Sequence, residues 1–228
     1  MERSSGRGPG LTLMFGGSGI VLGSLEPLWS RLILIVPPEE SSWLSTTWPP
    51  ELLETLSAAV LSIGFVILAI GIGREPGIAG SSILGRASLI VFAVCSFVPS
   101  LFAFAPMRAL RAIDYAVEPL ARTSSLTVTD AVETSLTVVG LAALVVASIL
   151  VVRASVLHGV ARWGLLVLAA VCVVTLIAQR TPIQATVMIE IARWGLISTP
   201  VIQLVLGALY IAQGQKMTAR APVRVLAE

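Results

Sequence analysis

An all-α, polytopic membrane fold, with about six transmembrane helices and one external amphipathic helix, is the class this sequence predicts. Three observations carry that expectation. Charged residues fill only 12% of the 228 positions and hydrophobic ones 56%, with a mean hydropathy of +0.92, whereas a soluble domain has roughly 25% charge. The apolar residues come in long blocks at 55–73, 87–106, 135–152, 163–178 and 194–212. Each block is near the ~20 residues that carry a helix across a ~30 Å hydrocarbon layer. None alternates as a barrel strand does, and lipid leaves only helices or closed barrels able to satisfy the backbone. The chain is therefore expected to form one integral membrane domain over 1–228.

The first span follows a short basic stretch, "MERSSGRGPG". It resembles a signal peptide's opening, but no small-x-small cleavage site follows, so a retained helix is expected. Its end is open: Glu26–Pro27 interrupts an apolar run that continues to Val36, so the helix covers either 11–25 or 11–36. Residues 37–54 form an acidic, proline-rich loop with Trp43 and Trp48 at headgroup level. Pro49–Pro50 suits a first helical turn, where Glu51 and Glu54 complement the positive helix end. The second span is placed at 52–73, a Gly/Pro/Ser turn region at 74–86, and the third span at 87–106.

Residues 107–122 read differently. Arg108, Arg111, Asp114, Tyr115 and Glu118 recur every three or four positions around Leu110, Ile113 and Val117. That is the pattern of a helix lying on the membrane surface. Asp130 and Glu133 suggest a capping box opening the fourth span at 131–152. The fifth follows at 162–179. The sixth is placed at 183–213, with Thr181 as cap and Pro182 in its first turn. At 1.5 Å per residue that last helix exceeds the bilayer core and must project, tilt or bend.

Charge sets the expected orientation. With six spans and the N-terminus inside, nine basic residues face the cytoplasm and four face out, as the positive-inside rule requires. A multi-pass protein of the cell membrane with both termini cytoplasmic follows. The near-repeat "ARWGLL" at 161–166 and "ARWGLI" at 192–197 then marks two helix boundaries. Arginine snorkels and tryptophan anchors at each.

Several chemistries lack their residues. One histidine, His158, cannot supply a haem or His-rich metal site. The single lysine, Lys216, lies in the tail, and no Walker or GxGxxG loop occurs. The net charge of +2 and the lack of a basic cluster point away from nucleic acid. "GGSG" at 16–19 resembles the G-x-S-G of intramembrane serine proteases over four letters. In that family serine and histidine sit on helices of a six-helix core, whereas here Ser18 is in the first span and His158 in a loop. Gly16, Gly17, Ser18 and Gly19 are read instead as small residues permitting close helix packing. No enzyme activity and no cofactor are expected.

The sharpest site signal is a pair of prolines. Pro99 in "AVCSFVPSLF" and Pro200 in "GLISTPVIQL" fall in the third helix of each three-span half. An odd number of spans inverts the halves relative to each other, and broken helices at matching positions mark midplane sites in secondary transporters. Ser96, Ser100, Ser198, Thr199 and Gln203 would line such a polar pocket. Glu190 and Arg193, three apart, serve either as a coupling pair or as an interfacial one, and Glu26 and Arg31 carry the same two readings. The plain alternative is that nearby hydroxyls merely re-satisfy the backbone.

Two function classes result. The first is a non-catalytic accessory or structural subunit, packed in the bilayer against other membrane proteins. The second is a small-solute or ion transporter or channel with a midplane site near Pro99 and Pro200.

Overall fold

The structure is a computed structural model that describes residues 9–33, 50–73, 75–101, 128–180 and 186–219. Six helices make up the described chain: α1 Gly10–Ile33, α2 Pro50–Ile70, α3 Ile83–Leu101, α4 Val128–Ala154, α5 Ala161–Arg180 and α6 Thr186–Ala219. No strand occurs among the described residues. All six are long and apolar enough to cross a membrane. The amphipathic segment expected at 107–122 lies outside the described residues.

The surface and interior are those of a protein dissolved in lipid. Large apolar side chains stand exposed on every helix, among them Phe15, Ile63, Ile83, Val139, Ile177 and Val205. A water-soluble monomer rarely leaves apolar surface on this scale uncovered. Serine, threonine and glutamine occur inside, where Thr12, Ser24, Ser57, Ser62, Ser148 and Gln203 are buried. Trp163, 51% exposed, and Trp194, 66% exposed, stand near opposite ends of the bundle. Those are the depths that amphipathic rings favour.

Each helix packs on its neighbours in sequence, and α6 returns to α1, so the six close into a ring. The seam holding that ring is built of glycine. On one face of α1, Gly17 meets the Gly207 carbonyl of α6, and Gly10 meets Gly214. On another face, Gly16, Gly19 and Gly23 meet Gly64, Leu68 and Leu61 of α2. An added methyl at Gly17 would stand 2.7 Å from the Gly207 oxygen, and one at Gly23 2.5 Å from the Leu61 nitrogen. Neither space admits a Cβ. Small residues matter here because helix association in lipid rests on close van der Waals contact rather than on the hydrophobic effect.

One half of the ring is solid. Leu13, Phe65, Leu68, Leu89, Leu144, Leu165 and Tyr210 fill it completely. Phe65 and Phe92 meet edge to face at 4.9 Å. The turns at this end are tied by polar contacts. Glu75 accepts the Thr12 N–H at 2.8 Å, and the Thr12 hydroxyl accepts the Ile72 N–H at 3.0 Å. A carboxylate at the start of α1 also complements its dipole. α2 ends where Gly71 turns to φ 88°.

Several boundaries differ from those expected. α1 continues through Pro27 to Ile33, which settles its open end in favour of a long helix. α2 stops at Ile70 rather than 73. α3 starts at Ile83 rather than 87, because Ser82 caps it by accepting the Gly85 N–H at 3.1 Å. α4 starts at Val128, three residues ahead of the expected 131, so Asp130 is a helical residue. Arg162 is more than a lipid anchor: its Nε donates to the Val152 carbonyl at 2.9 Å, satisfying the last turn of α4.

The glycine seam yields a prediction. Gly17→Val should lower stability by about 1–3 kcal/mol, the usual cost of overpacking, read as unfolding in detergent. Leu22→Val on the exposed face should change it by less than about 0.5 kcal/mol.

Candidate functional site

The other half of the ring is not filled. There α1, α2, α3, α4 and α6 enclose a cavity of about 660 Å³. It runs along α1 from Gly23, near that helix's middle, to Arg31 near its end. At 1.5 Å per residue this is about 12 Å of depth. Gly23, Ser100, Pro200 and Gln203 are buried at its walls, whereas Ser30 and Glu54 are exposed.

The two prolines share this cavity. Pro99 of α3 and Pro200 of α6 stand on helices opposite each other in the ring, and both line it. Ser96, Ser100, Thr199 and Gln203 line it as well. Ser198 is separated from them, in an apolar groove between α5 and α6. Glu190 and Arg193 are helical residues of α6 ahead of its apolar span Trp194–Ala219; their side chains lie outside the described set.

The backbone bonds that the prolines remove are redistributed. Proline has no N–H to give the carbonyl four residues earlier. Pro27 thus frees the Gly23 carbonyl, and Ser57 of α2 fills the place by donating to it at 2.6 Å. Around Pro200, Ser198 and Thr199 both donate to the Gly195 carbonyl, at 3.2 and 2.8 Å. Ser96 donates to Phe92 and Ser100 to Phe97, at 2.8 and 2.7 Å. Thr55 ties α2 to α3 through the Ser100 carbonyl at 3.2 Å. Ser57 alone of these bonds a carbonyl that a proline frees; the others bond carbonyls other than those of Cys95 and Leu196, which Pro99 and Pro200 deprive of their usual donor.

Charge enters as well, from Glu26 and Arg31, which sequence reasoning weighed as a pair, and from Glu54 and Glu133, which it placed only at helix ends. Glu26 and Arg31 of α1, Glu54 of α2 and Glu133 of α4 line the cavity. Glu26, Arg31 and Glu54 are close enough to interact electrostatically. Glu54 and Glu133 had local explanations, as a dipole complement and as part of a cap. The available signal was that Glu26, Glu54 and Glu133 fall at three helix ends on the same predicted side. A carboxylate within a span costs several kcal/mol unless a partner or water reaches it. The arrangement can hold a polar solute against charged and acceptor groups, inside a shell that faces lipid.

No known family, no curated protein and no solved structure matches this chain.

The proline–serine exchange can be tested by a double-mutant cycle. Ser57→Ala strands the Gly23 carbonyl and should cost about 1–3 kcal/mol. In a Pro27→Ala background residue 27 regains its N–H, and the same Ser57→Ala change should cost under about 1 kcal/mol. Equal costs in both backgrounds, read by unfolding in detergent, would contradict the assignment.

Proposed function

We propose that the chain is a non-catalytic transporter or channel that takes a small solute or ion into the cavity between α3 and α6. One observation carries the reading: charged and polar side chains from five helices line one cavity of the bundle. Natural membrane proteins place charge inside lipid where substrate, ion or water passes. The size also suits it, since small-molecule pockets occupy roughly 300–1,000 Å³. Prolines facing each other across the ring supply points where α3 and α6 bend. Motion there would open the solid half while closing the cavity half. On the charge rule the cavity end is the non-cytoplasmic one, in a cell-membrane protein with both termini inside.

A second reading, as a subunit of a membrane complex, is favoured by the apolar groove of about 850 Å³ between α5 and α6. Val171, Val174, Ile191, Trp194 and Val201 line it, and a partner helix would bury them.

Purified protein in liposomes should give saturable counterflow of at least one solute from a panel of labelled amines, amino acids, sugars and alkali cations. Glu26→Gln and Gln203→Ala should each reduce that flux at least about tenfold, with expression and monodispersity retained. A chain that is recovered only with other proteins, and that moves no solute in liposomes, would overturn the transport reading in favour of the subunit.

A further inference from the structure

Resting on the transport reading, we propose that Leu206 of α6 is the gate of the path, and that Tyr210 and Gln213 line the half of it that is closed in this structure. The starting point is the inward stripe of α6. Alternating steps of four and three residues carry it from Thr199 through Gln203, Leu206 and Tyr210 to Gln213. At 3.6 residues per turn the last four stand within about 80° of one another round the helix, over about 15 Å of its length. Thr199 and Gln203 line the cavity. Gln203 also closes its floor: it is buried, and its Oε1 accepts from the Ser24 hydroxyl at 3.2 Å. The same face of α6 then runs on into the solid half.

Polar atoms reappear there, and they are bare. Tyr210 is 0% exposed, and its hydroxyl has no hydrogen-bond partner among the described residues. One turn further on, Gln213 Oε1 is buried and unpartnered as well. Other hydroxyls of the solid half are bonded: Ser62 and Ser148 donate to the Ala93 and Val145 carbonyls, at 2.9 and 2.8 Å. A buried polar atom without a partner costs stability, and phenylalanine would fill the place of Tyr210 without that cost. Two such atoms in succession, on the face that continues the cavity wall, are groups whose partners arrive in another arrangement of the helices. Water and solute entering from the cavity supply them.

One apolar layer stands between. Leu206 is 1% exposed, and Ile20 of α1 and Phe65 of α2 are fully buried. Gly17 meets Gly207, and Gly19 meets Gly64, which sets these three side chains at one depth. A constriction of this kind stops polar solutes by excluding water. Leu206 is the member placed to move. It follows Pro200 by less than two turns on the same helix, and its Cδ1 occupies the space that Gly164 of α5 leaves by having no Cβ. A bend at Pro200 lifts Leu206 off that seat and joins Gln203 to Tyr210.

Thiol labelling in sealed vesicles tests the gate without knowledge of the solute. Single cysteines are placed in a chain with Cys95 and Cys172 replaced by alanine, and the probe is a membrane-impermeant methanethiosulfonate. Reaction of Ser30→Cys identifies the cavity side. From that side Gln213→Cys should be inert while Leu206 is present, and should react at least about tenfold faster when Leu206→Gly is added. Because Leu206→Gly can weaken the fold, Tyr210→Phe is the second measure. It should raise the thermal unfolding midpoint in detergent by about 2–4 °C, an unpaired hydroxyl being removed, and slow the flux of a transported solute about fivefold. Reaction of Gln213→Cys with Leu206 in place, no reaction after Leu206→Gly, or a lowered midpoint or unchanged flux in Tyr210→Phe overturns the proposal. Gated labelling in a protein that moves no solute supports the gate and overturns transport. Solute flux with Gln213→Cys inert in both backgrounds supports transport and overturns the gate.

Discussion

The closeness with which α1 approaches α2 and α6 is the constraint on which the rest of this bundle depends. Between helices in lipid there is no gain from removing apolar surface from water. Contact has to come from backbones near enough for their surfaces to interlock. Gly10 and Gly17 provide that against Gly214 and Gly207, and Gly16, Gly19 and Gly23 against α2. Both pairings are antiparallel, as consecutive spans and a closing sixth span require. The glycines of α1 end at Gly23, and the cavity begins there. Beyond that point Glu26, Pro27 and Arg31 hold the helices apart. Close packing and open space are thus two ends of one seam.

The split between a solid half and a hollow half gives the polar residues their meaning. In the solid half a hydroxyl does structural work: Ser62 of α2 donates to Ala93 of α3 at 2.9 Å, linking two helices. In the hollow half Thr55 and Ser57 link helices in the same way, while Ser30, Ser96, Ser100 and Thr199, which line the cavity, bond carbonyls of their own helices. Proline sharpens the difference. Pro27 loses a bond that a neighbouring helix replaces, whereas Leu196, whose carbonyl Pro200 deprives of its usual donor, lines the cavity. A bond made within the bundle stiffens it.

Much of the fold was legible because lipid imposes simple rules on sequence. Run length identified five spans and the stretch after the basic N-terminus the sixth, and small residues at 16–19 announced a packed face. The proline pair also led to the cavity, which both prolines line, since each could be placed on its span and each span counted. Helix ends were harder. The start of α3 depends on one serine cap, and α1 runs on through Pro27 because Ser57, thirty residues away, replaces the lost bond. The acidic residues of the cavity were the least legible. Glu54 and Glu133 each had an adequate explanation within their own helix. Only tertiary packing turns them toward Glu26, and no periodicity within one span encodes that.

α1 presents three different faces: glycine to its neighbours, apolar bulk to lipid and polar groups to the cavity. Single cysteines placed along residues 10–33, in a protein freed of Cys95 and Cys172, test it by their reactivity toward a water-soluble thiol reagent. Modification confined to positions 26, 27, 30 and 31, with 15, 22 and 25 inert, is the predicted result. Labelling of positions 15 and 22, or none at 26–31, would contradict it.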